Sequence, residues 1–495
     1  MKKVRKFYSF LSVVILSLGL YSCENLMDLN NNPNSIIFGE TPAQTLLPNI
    51  IYTGNWTLSY RSWRINGDLM QYAMQSDGTE KISCFVLKAS DSQTLWSKLT
   101  ASCMGAVHMQ QLAAMQNDNN SEAIALTLKA FYVSALTDIF GDIPYSEAFR
   151  CVDDNIVHPK YDDQKDVYSS ICEDLKLANQ LYNTSSEYEG AGFDLLYNGD
   201  LKKWQKFTNA LRLRLLLRQS KQIDVSSEMS EIVSDCELFR SNDDAAILRF
   251  TGIVPFFNGF GPSGTLVRPG ASQNKRMCSR LIDLLRDSGD PRLAKYADPV
   301  TVNGTSVYAG MLSGQNDDYI NEYKSKSSNY AKAISSNTQP STFMSYAEQE
   351  FILAEAAQRG YISGNAEAYY NNGVKASITE WCGDGAKNAA TIVLESPLVR
   401  YDGTVERIIE QKWVSLFFVG FESWCDYRRT GYPSLTFGPA TENKDINGNP
   451  TMPTRLCYPT ISQTTNESEY SKQVEKMGGK DDMLTKVWWA QGTNY

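Results

Sequence analysis

Three aromatic residues in one short segment have a spacing that suits a binding surface. Trp56, Tyr60 and Trp63 lie four and three residues apart, so a helix would carry their rings on one face. Such rings pack on the C–H faces of sugars, whose hydroxyl groups need polar partners at the rim. The polar neighbours expected there are Arg61, Arg64, Asn66 and Gln71. The same spacing is typical of a core stripe, which is the alternative interpretation.

A second aromatic group falls in a glycine-rich stretch. Phe256, Phe257 and Phe260 lie within TGIVPFFNGFGPSGTLVRPG (251–270), where little regular packing is available to cover three rings. Exposed aromatic side chains on a loop usually contact a ligand or partner. Asn258 and Arg268 are the hydrogen-bonding groups that we expect beside them. A local core inside the loop fits the pattern equally well.

Two pairs of carboxylates are of the type that glycoside hydrolases use, about 5 to 10 Å apart. They are Asp138 with Asp142, and Glu406 with Glu410. Asp142 belongs to a Gly-Asp-x-Pro turn, where aspartate accepts backbone hydrogen bonds, and Glu406 begins a helix whose dipole favours negative charge. No G-x-S-x-G, H-E-x-x-H or phosphate-loop motif is present. We therefore predict no catalytic residues and no enzyme activity.

The sequence contains few side chains that could bind a metal ion or cofactor. His108 and His158 are the only histidines, and no C-x-x-C occurs. Asp445, Asn447 and Asn449 offer oxygen atoms at alternate positions, but the closing glutamate of a calcium loop is missing, so an Asn-Gly turn explains them better. We predict neither a metal site nor a cofactor.

The N-terminus has the order of a lipoprotein signal. Lys2, Lys3, Arg5 and Lys6 precede an apolar run, and Ser22-Cys23 follows it. The signal would span residues 1–22, with Cys23 as the site of lipid attachment; two or three acyl chains there would anchor the protein firmly. An ordinary signal peptide with a chance cysteine is the alternative. The Asn-rich stretch 23–40 suits a flexible tether.

Charge and cysteine usage narrow the class of protein. The net charge is −9, and residues 1–22 carry four basic and no acidic residues, so removing them leaves −13. Nucleic acid is therefore not an expected partner. No later apolar run approaches the length of a spanning helix, so we expect lipid alone to hold the body at a membrane. Apart from Cys23, nine scattered cysteines remain, and we interpret most of them as small buried apolar residues.

The rest of the chain, 41–495, is predicted to be mainly α-helical. Apolar stripes with helical spacing begin at Ile124, Trp204, Tyr370 and Val405. Helices are expected to pair as 92–116 with 121–139, 164–183 with 200–220, and 345–359 with 365–381. These hairpins are similar to degenerate tetratricopeptide units, although incidental hairpins in an irregular helical protein also fit. Residues 250–340 are expected to form a loop-rich elaboration on this scaffold, and length alone suggests two or three domains.

Several motifs resemble those of one family. They are DIFGDIPYSEA (138–148), GDPRL (289–293), QKWVSLFFVGFESWCDYRRTGYP (411–433), PTRLCYP (453–459) and the terminal Trp488-Trp489. In this order they resemble the SusD/RagB family of outer-membrane nutrient-binding lipoproteins, from Cys23 to the C-terminus. Within these motifs Trp413, Trp424, Arg428 and Arg429 are expected to stabilise the fold rather than bind a ligand.

The resemblance implies one all-α body of tetratricopeptide-like helix pairs with a loop-rich binding face. It also implies a lipid-anchored protein on the cell surface of Bacteroidetes. Such a protein captures oligosaccharide or peptide and delivers it to a partner SusC-like TonB-dependent outer-membrane transporter. The alternatives are a surface scaffold without a small ligand and a glycan hydrolase. The family's RRTGYP branch puts a starch ligand in doubt.

Overall fold

Stretches with helical periodicity form most of the structure. The computed structural model describes residues 41–77, 80–150, 154–261 and 274–492. The α-helices in these ranges are α1 (Leu47–Arg61), α2 (Gly67–Leu69), α3 (Ala89–Gln116), α4 (Asn119–Phe140), α5 (Gln164–Leu181), α6 (Leu201–Gln219), α7 (Ser226–Asp235), α8 (Ser279–Asp287), α9 (Leu293–Tyr296), α10 (Asp317–Tyr323), α11 (Tyr346–Gln358), α12 (Ala366–Cys382), α13 (Lys387–Glu395), α14 (Val405–Ser415), α15 (Glu422–Thr430), α16 (Thr460–Thr465) and α17 (Glu467–Lys476).

The strands in the described ranges are short and pair two by two, all antiparallel. They are β1 (Ala73–Gln75), β2 (Ile143–Pro144), β3 (Tyr161–Asp162), β4 (Ala246–Leu248), β5 (Lys275–Met277), β6 (Ala297–Asp298), β7 (Val300–Val302), β8 (Thr305–Val307), β9 (Asn329–Tyr330) and β10 (Ser341–Met344). The pairs are β1 with β5, β2 with β3, β4 with β10, β6 with β9, and β7 with β8. The fold is therefore mainly α, as predicted.

The predicted helix pairs are present. Helix α3 packs along α4, α5 packs on α6, and α11 packs along α12, while α4 also contacts α5. Capping side chains define where two of these helices begin. Asp118 accepts from the Ser121 N–H at 3.0 Å at the N-terminus of α4, and Asn365 accepts from the Ala368 N–H at 3.0 Å at the N-terminus of α12. The sequence limits of the three pairs agree with the structure to within a few residues.

Helix α4 is the centre of the hydrophobic core. Ile124 and Leu128 of its predicted stripe are fully buried and Phe131 nearly so, and the rest of the helix is covered on almost every side. Contrary to the sequence expectation, α4 is long and apolar enough to cross a membrane, but 94% of that stretch is buried inside the body. Its hydrophobicity therefore reflects a core helix.

Tryptophan and arginine from the C-terminal motifs stabilise this core. Trp413, Trp424 and Trp489 are at most 1% exposed, and the Arg429 guanidinium donates to the Glu355 carboxylate at 2.6 Å through each of two nitrogens. These residues stabilise the fold, as predicted. The buried bidentate pair fixes the position of α15, which carries Arg429, relative to α11, which carries Glu355.

The segment 250–340 is not structureless, because α8, α10 and several strand pairs lie within it. Residues from Ala43 onward form one compact unit, so the two or three domains suggested by length alone are not seen. The predicted signal (1–22), the lipid-attachment residue Cys23 and the predicted tether (23–40) lie outside the described residues.

Candidate functional site

The three aromatic residues predicted on one helix face form a continuous stack. Trp56 and Tyr60 have ring centroids 5.6 Å apart and planes 8° from parallel, and Tyr60 and Trp63 follow at 5.9 Å and 27°. The helix α1 carries the first two, and a π-helical turn, Ser62–Asn66, carries the third. Trp56 and Tyr60 are half-buried, whereas Trp63 is 8% exposed and belongs to the core.

The glycine-rich loop after β4 brings the second aromatic group to this stack. Phe260 lies 6.0 Å from Tyr60 and 5.7 Å edge-on from Trp63. A Cβ atom at Gly259 would lie 2.4 Å from the Trp56 ring, so only glycine permits this approach of the loop. The two segments, which are separated by almost two hundred residues in sequence, therefore form one aromatic surface. Phe260 itself is 6% exposed and, like Trp63, belongs to the core beneath that surface, which corrects its assignment to the ligand-binding site.

The anchoring of β10 to α1 explains why the loop lies there. Strand β4 pairs with β10, with Leu248 opposite Ser341. The Asn55 side chain donates to the Ser341 carbonyl at 2.9 Å, and the Ser341 hydroxyl donates to the Asn55 carbonyl at 3.2 Å. Both contacts are buried. The chain that leaves β4 is thus held beside the aromatic face of α1.

Phe256 and Phe257 occupy the outer part of the loop and are half-buried. Phe256 packs on Tyr52 with centroids 5.6 Å apart, and the Tyr52 hydroxyl donates to the Phe257 carbonyl at 3.2 Å. Beyond them, Ile253 and Val254 are more than 70% exposed. Sequence analysis missed Tyr52, although extending the stripe of Trp56 back by four residues would have found it.

Three of the predicted polar site residues serve the fold. Asn66 donates to the Ser423 hydroxyl at 3.1 Å, Gln71 to the Thr436 carbonyl at 2.7 Å, and Asn258 to the Gln339 carbonyl at 2.6 Å. Each is at most 5% exposed. Their assignment to a ligand-binding rim is corrected, because a buried amide with an internal partner does not reach the surface. Arg268 lies outside the described residues.

Hydrogen-bond donors without acceptors surround the aromatic surface. Among the residues that the structure describes, the indole N–H groups of Trp56 and Trp63 and the Nε of Arg61 have no partner. The Arg61 guanidinium lies 5.3 Å from the centre of the Tyr60 ring, and burial, followed by repulsion from Arg64, lowers its pKa. These donors are covered from solvent, so what a ligand can reach here is the open faces of the half-buried Trp56 and Tyr60 rings, which suit the C–H faces of a sugar.

The candidate catalytic carboxylates have structural partners. The Asp138 carboxylate is buried and accepts from Tyr168, Arg218 and Trp489 at 2.5, 2.5 and 2.8 Å. Asp142 accepts from the Gln164 N–H at 2.8 Å and from Lys476 at 2.7 Å. These contacts occupy the carboxylate lone pairs that a general acid or base would need. This agrees with the interpretation of Asp138 and Asp142 as structural residues.

The suspected calcium loop is an ordinary turn in this structure. One Asp445 oxygen accepts from the N–H groups of Asn447 and Asn449 at 2.9 and 2.8 Å. Across the described part of the chain, no cluster of three or more histidine, cysteine or acidic side chains is arranged to hold a metal ion. All cysteines described there are free thiols, and Cys84, Cys103, Cys278 and Cys425 are buried.

Comparison with known proteins gives a consistent set of relatives. Residues 33–459 match the sequence profile of a SusD-like family described as starch-binding and associating with the outer membrane. A solved structure named as a chitin-binding protein is 30% identical, with a TM-score of 0.76, and covers 91% of this chain and 100% of its own. A search of curated proteins gives no match.

Two further solved structures share the fold. A SusD homologue from Bacteroides fragilis is 26% identical, with a TM-score of 0.77 over 92% of this chain and all of its own. A chitin-binding SusD homologue from Flavobacterium johnsoniae is 22% identical, with a TM-score of 0.75 over 91% of this chain and 98% of its own. At that lower identity the match concerns the fold alone.

Proposed function

Because this chain belongs to the SusD/RagB family of outer-membrane-associated binding proteins, we propose that it captures oligosaccharides at the cell surface and delivers them to a transporter. The family consists of binding proteins, and this chain is not an enzyme. The finer parts of the proposal are a lipid anchor on Cys23, exposure on the outer face of the membrane, and a SusC-like TonB-dependent transporter as the partner.

The observation that carries the binding proposal is the aromatic surface formed by α1 and the 251–261 loop. Trp56 and Tyr60 stack with nearly parallel rings, and both keep part of their surface open. Phe256 and Phe257 extend the apolar area along the loop. A sugar or peptide could rest on the open faces of these rings. Relatives whose names specify starch or chitin favour a saccharide over a peptide.

A capture protein of this kind needs to release its ligand as well as hold it. A few stacked rings with an open rim give modest affinity, because each aromatic contact contributes about 0.5–1.5 kcal/mol. The half-open surface is compatible with that requirement, since a closed dry cavity would slow the transfer of ligand to a neighbouring pore.

The proposal is tested by calorimetry on the purified lipid-free chain (residues 24–495) with maltoheptaose and chitohexaose. Trp56→Ala and Phe257→Ala should each raise the Kd of whichever saccharide binds by about 3- to 10-fold. Phe193→Ala is the control, because Phe193 is a solvent-exposed ring (39% exposed) that does not contact the aromatic surface. It should leave the Kd unchanged.

The thermal melting of the same variants separates binding from stability. We expect both variants to melt within a few degrees of the parent chain, because their side chains are half-buried. A large loss of stability would mean that these rings are core. If neither saccharide gives saturable binding or thermal stabilisation, the scaffold alternative replaces the proposal.

A further inference from the structure

A wide groove lies apart from the aromatic surface and shares no side chain with it. It has a volume of about 810 Å³, which is the size of a cavity for a ligand of two or three sugar rings. Its walls come from the Asn242–Asp244 turn, β4 with the residue after it, and helices α12 and α13. Nothing in the sequence analysis singled out these residues.

Two cations line the groove wall and are open to solvent. Arg249 and Lys375 are exposed and, within the described ranges, neither forms an ion pair. The other two cations of the groove are already engaged: Lys387 pairs with Asp384 at 2.9 Å, and Arg240 with Glu237 at 3.1 Å. An acidic protein thus carries in this groove two positive side chains that form no ion pair with any described residue.

The acidic groups of the groove offset these cations only in part. Burial raises the pKa of Glu380 to about 7, and the charge of Arg249 opposes that rise. Glu380 therefore holds its proton for part of the time at neutral pH and can then donate a hydrogen bond. Asp243 is exposed at the rim, where water screens its charge.

Neutral polar groups and the Tyr346 ring complete the wall. The Asn242 amide donates to the Thr379 hydroxyl at 3.0 Å, while its buried carbonyl oxygen receives no hydrogen bond from any described residue. A smaller cavity of about 300 Å³ adjoins the groove, because Ile247, Arg249 and Glu380 line both. Trp381 and Lys295 lie in that second cavity. Two exposed cations and an aromatic ring in one groove suit an acidic sugar.

We propose that this groove is a second saccharide subsite, which binds sugars that carry a carboxylate or sulfate group through Arg249 and Lys375. The inference rests on the proposed binding function and narrows its substrate class to acidic glycans. The anionic group of the sugar would accept hydrogen bonds from the guanidinium of Arg249 and the ammonium of Lys375.

The test uses trigalacturonate, its neutral trimethyl ester and a chondroitin 6-sulfate tetrasaccharide on the lipid-free chain. We expect saturable binding of at least one acidic probe, with a Kd that rises with salt concentration. If the carboxylate is the recognised group, the ester should bind at least about tenfold more weakly than trigalacturonate. Arg249→Gln and Lys375→Gln should each raise the Kd by about tenfold or more. Lys98→Gln, which removes an exposed lysine outside the groove, should change it less than twofold.

The outcomes separate the groove from the aromatic surface. If maltoheptaose or chitohexaose binds through Trp56 while neither acidic probe binds, the groove proposal fails and the proposed function stands. Equal Kd values for the acidic probes in the parent, Arg249→Gln and Lys375→Gln chains also overturn the groove proposal. If an acidic probe binds through Arg249 and Trp56→Ala does not alter its Kd, the groove is supported independently of the aromatic surface. If no saccharide of either kind binds, both proposals fail.

Discussion

Glu350 on α11 is a buried carboxyl group that forms no ion pair with any residue the structure describes. It is 4% exposed and accepts a hydrogen bond from the Asn372 amide at 3.1 Å. Burial raises its pKa to about 7, and the hydrogen bonds from Asn372, Gln349 and Tyr346 only partly oppose that rise. In the unfolded chain its pKa would be near the ordinary value of about 4.3. The folded protein therefore retains a proton that the unfolded chain has already lost.

This difference predicts a loss of stability as the pH rises from about 4.5 to 7, because the unfolded state binds fewer protons in that window. Glu350→Gln keeps the acceptor for Asn372 but cannot ionise. We expect it to raise the free energy of unfolding by about 1–3 kcal/mol at pH 8 and to have little effect at pH 4.5. Urea denaturation of both chains at the two pH values measures the change. An equal effect at both pH values would show that ionisation is not the cause.

Single residues show where sequence reasoning reaches its limit. The spacing of Trp56, Tyr60 and Trp63 correctly predicted a shared face, because helical periodicity is a local property. The burial of Asn66 and Gln71 could not be predicted, since their partners Ser423 and Thr436 lie more than 350 residues further along the chain. A polar residue next to an aromatic stripe looks the same in sequence whether it faces solvent or a distant helix.

At the scale of elements, one buried ion pair holds the chain that follows α1, the helix that carries Trp56 and Tyr60. The Lys275 ammonium on β5 contacts the Asp68 carboxylate of α2 and donates to the carbonyls of Trp63 and Arg64 at 2.8 and 3.0 Å. It also lies 5.0 Å from the centre of the Trp63 ring. Lys275 and Asp68 are at most 1% exposed. This contact joins α1, α2 and β5 beneath the aromatic surface.

Lys275→Met should therefore reduce the free energy of unfolding by about 3–5 kcal/mol, because Asp68 would remain as a buried charge without a partner. The double variant Lys275→Met with Asp68→Asn should recover part of that loss, since it removes both charges. Chemical denaturation gives the free energies, and tryptophan fluorescence reports the surroundings of Trp63. If the double variant is no more stable than Lys275→Met, the loss of stability comes from packing and not from the unpaired Asp68 carboxylate.

The secondary-structure elements differ in how well they can be predicted from the sequence. The long helices α3, α4, α6 and α12 were predictable because apolar stripes and capping residues define their limits within the chain itself. Strands of two to four residues have too little alternation to be recognised. The short helices in the 250–340 segment were missed for the same reason, since seven to nine residues give barely two turns of periodicity.

At the scale of the whole molecule, distant motifs meet in one buried polar network. Arg218 of α6 donates to Asp138 of α4 and to Glu422 of α15, each at 2.5 Å, and the C-terminal Trp489 also donates to Asp138. Motifs that lie far apart in sequence therefore form parts of the same core. The network helps to hold the described residues from Ala43 onward in one compact unit, in place of the two or three domains that length suggests.

The attachment of this body to a membrane depends on Cys23, which gives the last prediction. Cells that express the chain should incorporate labelled palmitate into it, and external protease should degrade it on intact cells, because a lipid-anchored surface protein is accessible from outside. Cys23→Ala should abolish the label and release the protein from the membrane fraction, since no acyl chain would remain to hold it. Cys382→Ala is the matched control: it removes a half-buried free thiol and should leave both label and location unchanged. Palmitate that persists in Cys23→Ala, or a parent chain that external protease never reaches, would contradict the anchor and the surface location on which delivery to a transporter depends.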